Sequence, residues 1–279
     1  MYALAIHGGA GVPPKDKMSS DTEAALLVAL RKYIDAGEAV LRDNGTALDA
    51  VTQAVCALEN DPHFNAERGA VFNSDGKHEM DAALMLGQDR NAGAMAGIMG
   101  PRNPILAARA VMEQTNQVLM IGPNALNVAR ATDIPFAEPD YFFTLKRWDM
   151  LQETLRLRQV GAETDDPARR HGTVGAVALD IHGNLAAATS TGGMTAKAPG
   201  RVGGTPCIGA GTFADNETCA VSCTGYDEIF LRRNTAYEIA SRMRHADQNL
   251  EEAAQGVGQA WRQWRCNCAG SGWQCFHAV

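Results

Sequence analysis

The stretch His171-Gly172-Thr173-Val174-Gly175-Ala176-Val177-Ala178-Leu179-Asp180 puts a threonine at the head of an apolar run, just behind the polar, charged segment Gly161 to Arg170. A second hydroxyl-rich run, Thr189-Ser190-Thr191-Gly192-Gly193-Met194, follows. A threonine that opens a strand behind an exposed linker (158–172) points to a chain that cuts itself before that threonine. The chemistry favours this reading. A threonine hydroxyl is a poor nucleophile without an adjacent base. An α-amine, with an unperturbed pKa near 7.7–8.0, is such a base and sits on the same residue once the preceding bond is broken. Gly172 keeps the scissile carbonyl clear, because a side chain there would crowd the attacking group. Read alone, a Gly-Thr pair is more often an ordinary strand start, so the surroundings must decide.

Working outward, Ala3 to Ile6 reads as a strand entering the turn His7-Gly8-Gly9-Ala10-Gly11, which lacks the Gly-Lys-Ser/Thr of a phosphate loop. Apolar spacing predicts helices from Ser19 or Ser20 to Leu41 and from Ala47 to Glu59. Further helices are expected from Asn103-Pro104 to Glu113, Pro123 to Arg130, Arg147 to Arg158 and Ile229 to His245, with another starting over Leu250 to Ala254. Strands are expected at 70–73, 80–85, 92–98, 174–180, 185–189, 207–211 and 219–223. Helices, strands, strands and helices in that order predict two central sheets between helical layers.

The net charge of −7 offers no basic patch, which excludes a nucleic-acid partner. No apolar stretch reaches membrane-spanning length, and the N-terminus lacks the pattern of a signal peptide. A cytoplasmic protein is the expectation. Cys56, Cys207, Cys219 and Cys223 lie in apolar segments, as buried thiols do, whereas Cys266, Cys268 and Cys275 crowd into the tail with three of the four tryptophans.

His171-Gly172-Thr173-Val174-Gly175, Thr189-Ser190-Thr191-Gly192-Gly193, His7-Gly8-Gly9-Ala10-Gly11 and Phe64-Asn65-Ala66 together resemble the plant-type asparaginases, or isoaspartyl peptidases, over about residues 3 to 254. These are N-terminal-nucleophile hydrolases. The resemblance implies an α+β fold, a four-layer αββα sandwich made as an autoproteolytic precursor. Residues 1–172 would be the α subunit and 173–279 the β subunit, cleaved between Gly172 and Thr173. It implies hydrolysis of β-aspartyl dipeptides and asparagine, small-molecule substrates, with no cofactor needed and a dimer of cleaved αβ units. By it Thr173 is the nucleophile, Thr191 orients it, Arg201 clamps the substrate α-carboxylate, and Thr224-Gly225 forms the oxyanion corner with Asn65 nearby. It also implies a structural sodium ion held by main-chain carbonyls of Leu58, Glu59, Asp61, Phe64, Ala66 and Arg68. Glu67-Arg68 stands where the family usually has glycine and a small or apolar residue. His7 reads as a core histidine rather than a base.

Three departures accompany the resemblance. Gly204 replaces the aspartate expected to hold the substrate ammonium, and Asp227 stands where glycine is usual, so that Asp227 is a candidate substitute carboxylate. From about residue 256 the tail is aberrant. With suitable codons, a one-base shift of Arg262 to Val279 restores Gly-Ser-Gly-Gly-Ala-Thr-Ala-Leu-Asp-Arg-Asp-Gly-Asn-Val-Ser-Met-Pro-Phe. A frameshifted, truncated C-terminus is therefore expected to cost the fold two strands and leave sheet edges unpaired. Two alternatives follow: an uncleaved, inactive product, or a related amidohydrolase acting on glycosylated asparagine. A zinc site from Cys266, Cys268, Cys275 and His277 is a remote third.

Overall fold

The computed structural model describes residues 1–11, 19–162, 172–259, 264–270 and 275–278. The cuttable loop foreseen before Thr173 lies mostly outside the described residues, as do 260–263, 271–274 and 279 of the tail. Two antiparallel hairpins fix the central sheet. β5 (Val174–Leu179) pairs with β1 (Ala3–His7) on one side and β6 (Leu185–Thr191) on the other, with Gly175 opposite both His7 and Thr189. Next to β6 comes β2 (Met80–Leu86), then β3 (Ala92–Ile98) and the short β4 (Leu119–Ile121), which joins in parallel as the edge.

One face of this six-stranded sheet is covered by α1 (Ser20–Arg42), α2 (Ala47–Glu59) and α3 (Pro104–Gln114). Tyr33, Val51, Val55 and Ile105 pack there against Ala82, Leu84, Val174, Ala176 and Ala188. Helix ends follow local chemistry. Thr46 caps α2 by accepting from the Asp49 amide at 3.1 Å, and Pro104 opens α3, where its missing N–H costs nothing. α4 (Gly122–Arg130), the short α5 (Pro139–Phe142) and α6 (Leu145–Gln159), capped by Thr144, complete this half.

The opposite face meets a second sheet of four strands in the order β10-β9-β8-β7. β7 is Thr212–Ala214, β8 Cys219–Gly225, β9 Trp264–Gly270 and β10 Cys275–Ala278. Val177, Leu179, Leu185 and Ala187 share a buried cluster with Phe213, Val221 and Cys268. Helices α7 (Asp227–Arg233), α8 (Thr235–Ala246) and α9 (Leu250–Gln259) add Phe230, Ile239, Leu250 and Val257 to it. Among the described residues, no helix is long and apolar enough to cross a membrane.

Several expectations are corrected. Residues 70–73 form no strand; only Asn73 makes an isolated bridge, to Lys197. Residues 207–211 are turns closed by Cys207 and Ala210 amides on the Gly204 and Cys207 carbonyls, and the strand begins at Thr212. The single helix expected from Ile229 to His245 breaks at Asn234, whose left-handed φ of 49° no α-helix accommodates. The tail, expected to remove two strands, supplies β9 and β10. β9 pairs with β8 from Cys219↔Gly270 to Gly225↔Trp264, so β8 is interior. Strand pairing is made by backbone groups, and Cys268 and Ala269 are compact enough to be wholly buried between neighbouring layers. The side chains of Cys266, Cys275 and His277 lie outside the described residues. Among the described residues no cluster of three or more His, Cys, Asp or Glu is poised for a metal.

Candidate active site

Thr173 lies just before β5, buried to 2% exposure, in register to meet the end of β6. Its hydroxyl donates to Thr191 Oγ1 at 3.3 Å. Thr191 in turn donates to the Gly172 carbonyl at 2.7 Å and accepts from the Gly193 amide at 2.9 Å. Asn65, on the turn after α2, gives a second donor to the Gly172 carbonyl, Nδ2 at 2.9 Å. Its Oδ1 is held by the Val71 amide at 2.9 Å, and its Nδ2 also reaches the Gly193 carbonyl at 2.6 Å. The side chain of Asn65 therefore has a fixed orientation. A Cβ on residue 172 would lie 2.7 Å from Asn65 Cβ, so glycine is required for this approach.

Thr224, next to last in β8, accepts from the Ala10 amide at 3.1 Å, tying the second sheet to the turn after β1. Gly225 follows with φ 148°, a backbone that suits glycine. Thr173, Thr191, Asn65 and Gly172 are thus in direct contact.

Arg201 forms a second group with Asp227 and Glu228 at the start of α7. Its Nε and Nη2 donate to Glu228 Oε1 at 3.0 and 2.8 Å, and its Nη1 to Asp227 Oδ2 at 3.4 Å. Burial pushes the Asp227 carboxyl up to about 6 despite the Arg201 charge. Gly204 lies under α7, where a Cβ would be 3.0 Å from Phe230 Cβ. Sequence reasoning did not single out Lys197 and Asp81, buried beside this group. Burial lowers the Lys197 ammonium and raises the Asp81 carboxyl, and each is partly compensated by the other's charge.

The loop that carries Asn65 also has unusual acids. Glu59 is wholly buried and accepts from the Ile105 amide and Asn103 Nδ2, both at 3.0 Å. Burial pushes its carboxyl up to about 8, and that of Glu67 to about 7. Arg147, itself buried, braces the loop by donating to the Gly69 and His63 carbonyls at 2.7 and 3.4 Å.

The acids Glu59 and Glu67 set a pH dependence of stability. A carboxyl whose folded pKa lies above its unfolded value stabilises the fold while protonated, and that contribution is lost as pH rises through the folded pKa. His78, lowered by burial to about 4, acts in the opposite sense, but only below the ordinary histidine value of about 6.5. Stability is therefore expected to fall between pH 6.5 and 8, and Glu59→Gln to flatten the fall. Urea unfolding across that range checks this; a midpoint that rises with pH in the wild type would contradict it.

The asparaginase family model matches residues 1–267, and so includes every residue of this site. The chain belongs to the asparaginase family. The isoaspartyl peptidase of Escherichia coli (strain K12) is 48% identical over 259 residues, covering 91% of this chain and 80% of its own. The isoaspartyl peptidase/L-asparaginase of Homo sapiens is 41% identical over 233 residues, covering 84% of this chain and 74% of its own. Of the two positions read in the sequence as departures from the family pattern, Asp227 touches Arg201 and Gly204 lies beside Phe230 and the Asp227 carbonyl.

Proposed function

We propose that this chain is a threonine-type N-terminal-nucleophile hydrolase acting on β-aspartyl dipeptides and asparagine, with the four-layer αββα architecture of an autoproteolytic precursor. One observation carries the reading: the Gly172 carbonyl accepts from both Thr191 and Asn65 while the Thr173 hydroxyl donates to Thr191. In self-cleavage, Thr173 Oγ attacks the Gly172 carbonyl carbon. Its proton passes to Thr191, which gives its own to the developing oxyanion. As the carbonyl re-forms, the proton on its oxygen passes to the departing nitrogen and the Gly172–Thr173 C–N bond breaks, which leaves the acyl group as an ester on Thr173 Oγ for water to hydrolyse. A Gly172 carboxylate and a free Thr173 amine result.

In turnover the same hydroxyl attacks the substrate's side-chain amide carbon. The Thr173 amine takes the hydroxyl proton and delivers it to the leaving amine, and Thr224-Gly225 faces the oxyanion. Water then releases aspartate. Arg201 would hold the α-carboxylate, for which a planar guanidinium is suited. The free thiols Cys56, Cys207, Cys219 and Cys223 favour a reducing compartment, the cytoplasm.

Carbonyls of Leu58, Glu59, Asp61, Phe64, Ala66 and Arg68 would hold a structural sodium ion. Their all-oxygen donor set suits a hard cation, and the Asp61 and Ala66 oxygens each accept one amide and keep a second lone pair. A melting temperature indifferent to exchange of sodium for a bulky cation at fixed ionic strength would count against that ion. The assembly we propose is a dimer of cleaved αβ units, to be read by light scattering.

Incubation of the purified protein with β-aspartyl-leucine tests the activity directly. Release of aspartate and leucine is expected, faster than turnover of glycosyl-asparagine. The reverse preference would assign the chain to the glycosylated-substrate chemistry instead.

A further inference from the structure

Behind the nucleophile, a line of buried polar side chains crosses from one sheet to the other. His7, at the end of β1, has Nδ1 3.0 Å from the Thr173 carbonyl and Nε2 2.9 Å from Ser222 Oγ on β8. Ser222 Oγ is 2.7 Å from Thr189 Oγ1 on β6. Thr189 is 2.8 Å from Thr212 Oγ1 on β7, which lies 3.0 Å from the Thr205 carbonyl. All six residues in the line are buried. The crossing is built for this purpose: a Cβ on residue 175 would overlap Ser222 Oγ and sit 2.5 Å from His7 Nε2, so only glycine leaves the passage open.

Counting hydrogens restricts what this line can be. The Thr173 carbonyl only accepts, so Nδ1 must carry a hydrogen. A neutral imidazole then has a bare Nε2, which needs a donor, and Ser222 has one hydrogen to give. Ser222 must accept from Thr189, and Thr189 from Thr212. The opposite direction, with Thr212 donating to the Thr205 carbonyl, would force a hydrogen onto Nε2 as well and make His7 an imidazolium. With a neutral imidazole the five contacts share four hydrogens, so every hydroxyl donates once toward the histidine and the 3.0 Å approach of Thr212 to the Thr205 carbonyl is the one contact left without a hydrogen.

We propose that His7 is a positioning residue for Thr173. Its Nδ1–H anchors the carbonyl of the nucleophile residue, and the three hydroxyls of Ser222, Thr189 and Thr212 hold it in that tautomer. The Thr173 carbonyl belongs to the bond with Val174, so self-cleavage leaves this anchor in place, and it acts equally in the precursor and in the mature enzyme. Without it the first residue of the β subunit would keep its strand pairing through β5 but lose the restraint nearest its reactive end. A misaligned nucleophile lowers the rate of the chemical step and leaves the distant contacts of the substrate unchanged.

The catalytic side of this assignment rests on the proposed reaction, and the test separates the two. Long-range proton–nitrogen spectra of the purified full chain, labelled at histidine, read the tautomer, with the His7 signals identified by their loss in His7→Asn. The expected state is Nδ1–H with a bare Nε2. A hydrogen on Nε2 and none on Nδ1 would overturn the proposal. In kinetics with β-aspartyl-leucine, His7→Leu is expected to lose roughly three- to tenfold in kcat at unchanged KM, the worth of one hydrogen bond. His7→Asn, whose amide can donate to the same carbonyl, should recover most of that loss. Wild-type kcat in His7→Leu, or a change confined to KM, would also overturn it. If the wild type itself does not hydrolyse the dipeptide, the proposed function fails, and the tautomer spectrum alone decides the assignment.

Discussion

Replacing Thr173 with alanine is expected to leave a single uncut chain with no measurable hydrolysis of β-aspartyl dipeptide. The effect should be total, because one hydroxyl serves both reactions and no second nucleophile stands within reach of the Gly172 carbonyl in the contacts described. Thr191, which touches that carbonyl, already gives it its hydrogen at 2.7 Å and accepts from two other groups. Thr191→Val should differ in kind. It removes the relay and one of two donors to the developing oxyanion, a loss of about 10²–10³ in rate for groups of this type, so cleavage is slowed rather than abolished. Electrophoresis over days distinguishes the two variants. Cleavage in Thr173→Ala at the wild-type rate would show that another group cuts the chain.

The second large effect concerns Arg201. Its guanidinium is mostly buried and already shared by Glu228 and Asp227. Arg201→Ala leaves both carboxylates without their cation, a change that typically costs about 2–5 kcal/mol in binding. KM for β-aspartyl-leucine is expected to rise by tens to thousands of fold with kcat less affected. Asp227→Gly should act in the opposite direction. A substrate α-carboxylate approaching Arg201 must compete with Asp227 Oδ2 on Nη1, and removing that like charge is expected to lower KM about tenfold, or about 1.4 kcal/mol. A rise in KM would instead make Asp227 the acceptor of the substrate ammonium, in place of the carboxylate missing at Gly204. The two departures are linked by packing: an aspartate at 204 would press on Phe230, and Phe230 shares α7 with Asp227.

The parts of the molecule set by local chemistry were legible in the sequence. The strand after Thr173, the apolar face of α2 and the proline that opens α3 each follow from neighbouring residues, whereas the pairing of Thr173 with Thr191 was legible only through the family resemblance. Features set by distant contacts were not. Asn234 breaks a helix with a backbone angle that its flanking pattern does not announce. The hydroxyl line from Thr212 to His7 joins residues of four strands in two sheets, and only the Thr-Ser-Thr run at 189–191 hinted at buried hydroxyls. The two strands of the tail were not foreseen for a different reason. The tail's composition, rich in cysteine and tryptophan, reads as foreign, yet β9 needs little more than an extended backbone and two compact residues where neighbouring layers meet.

Intact mass spectrometry of the purified wild-type protein tests the central claim most directly. The account predicts two chains, the first ending at Gly172 and the second beginning at Thr173. A single uncut chain after prolonged incubation would contradict it, and would mean that the contacts around Gly172 do not assemble a working nucleophile.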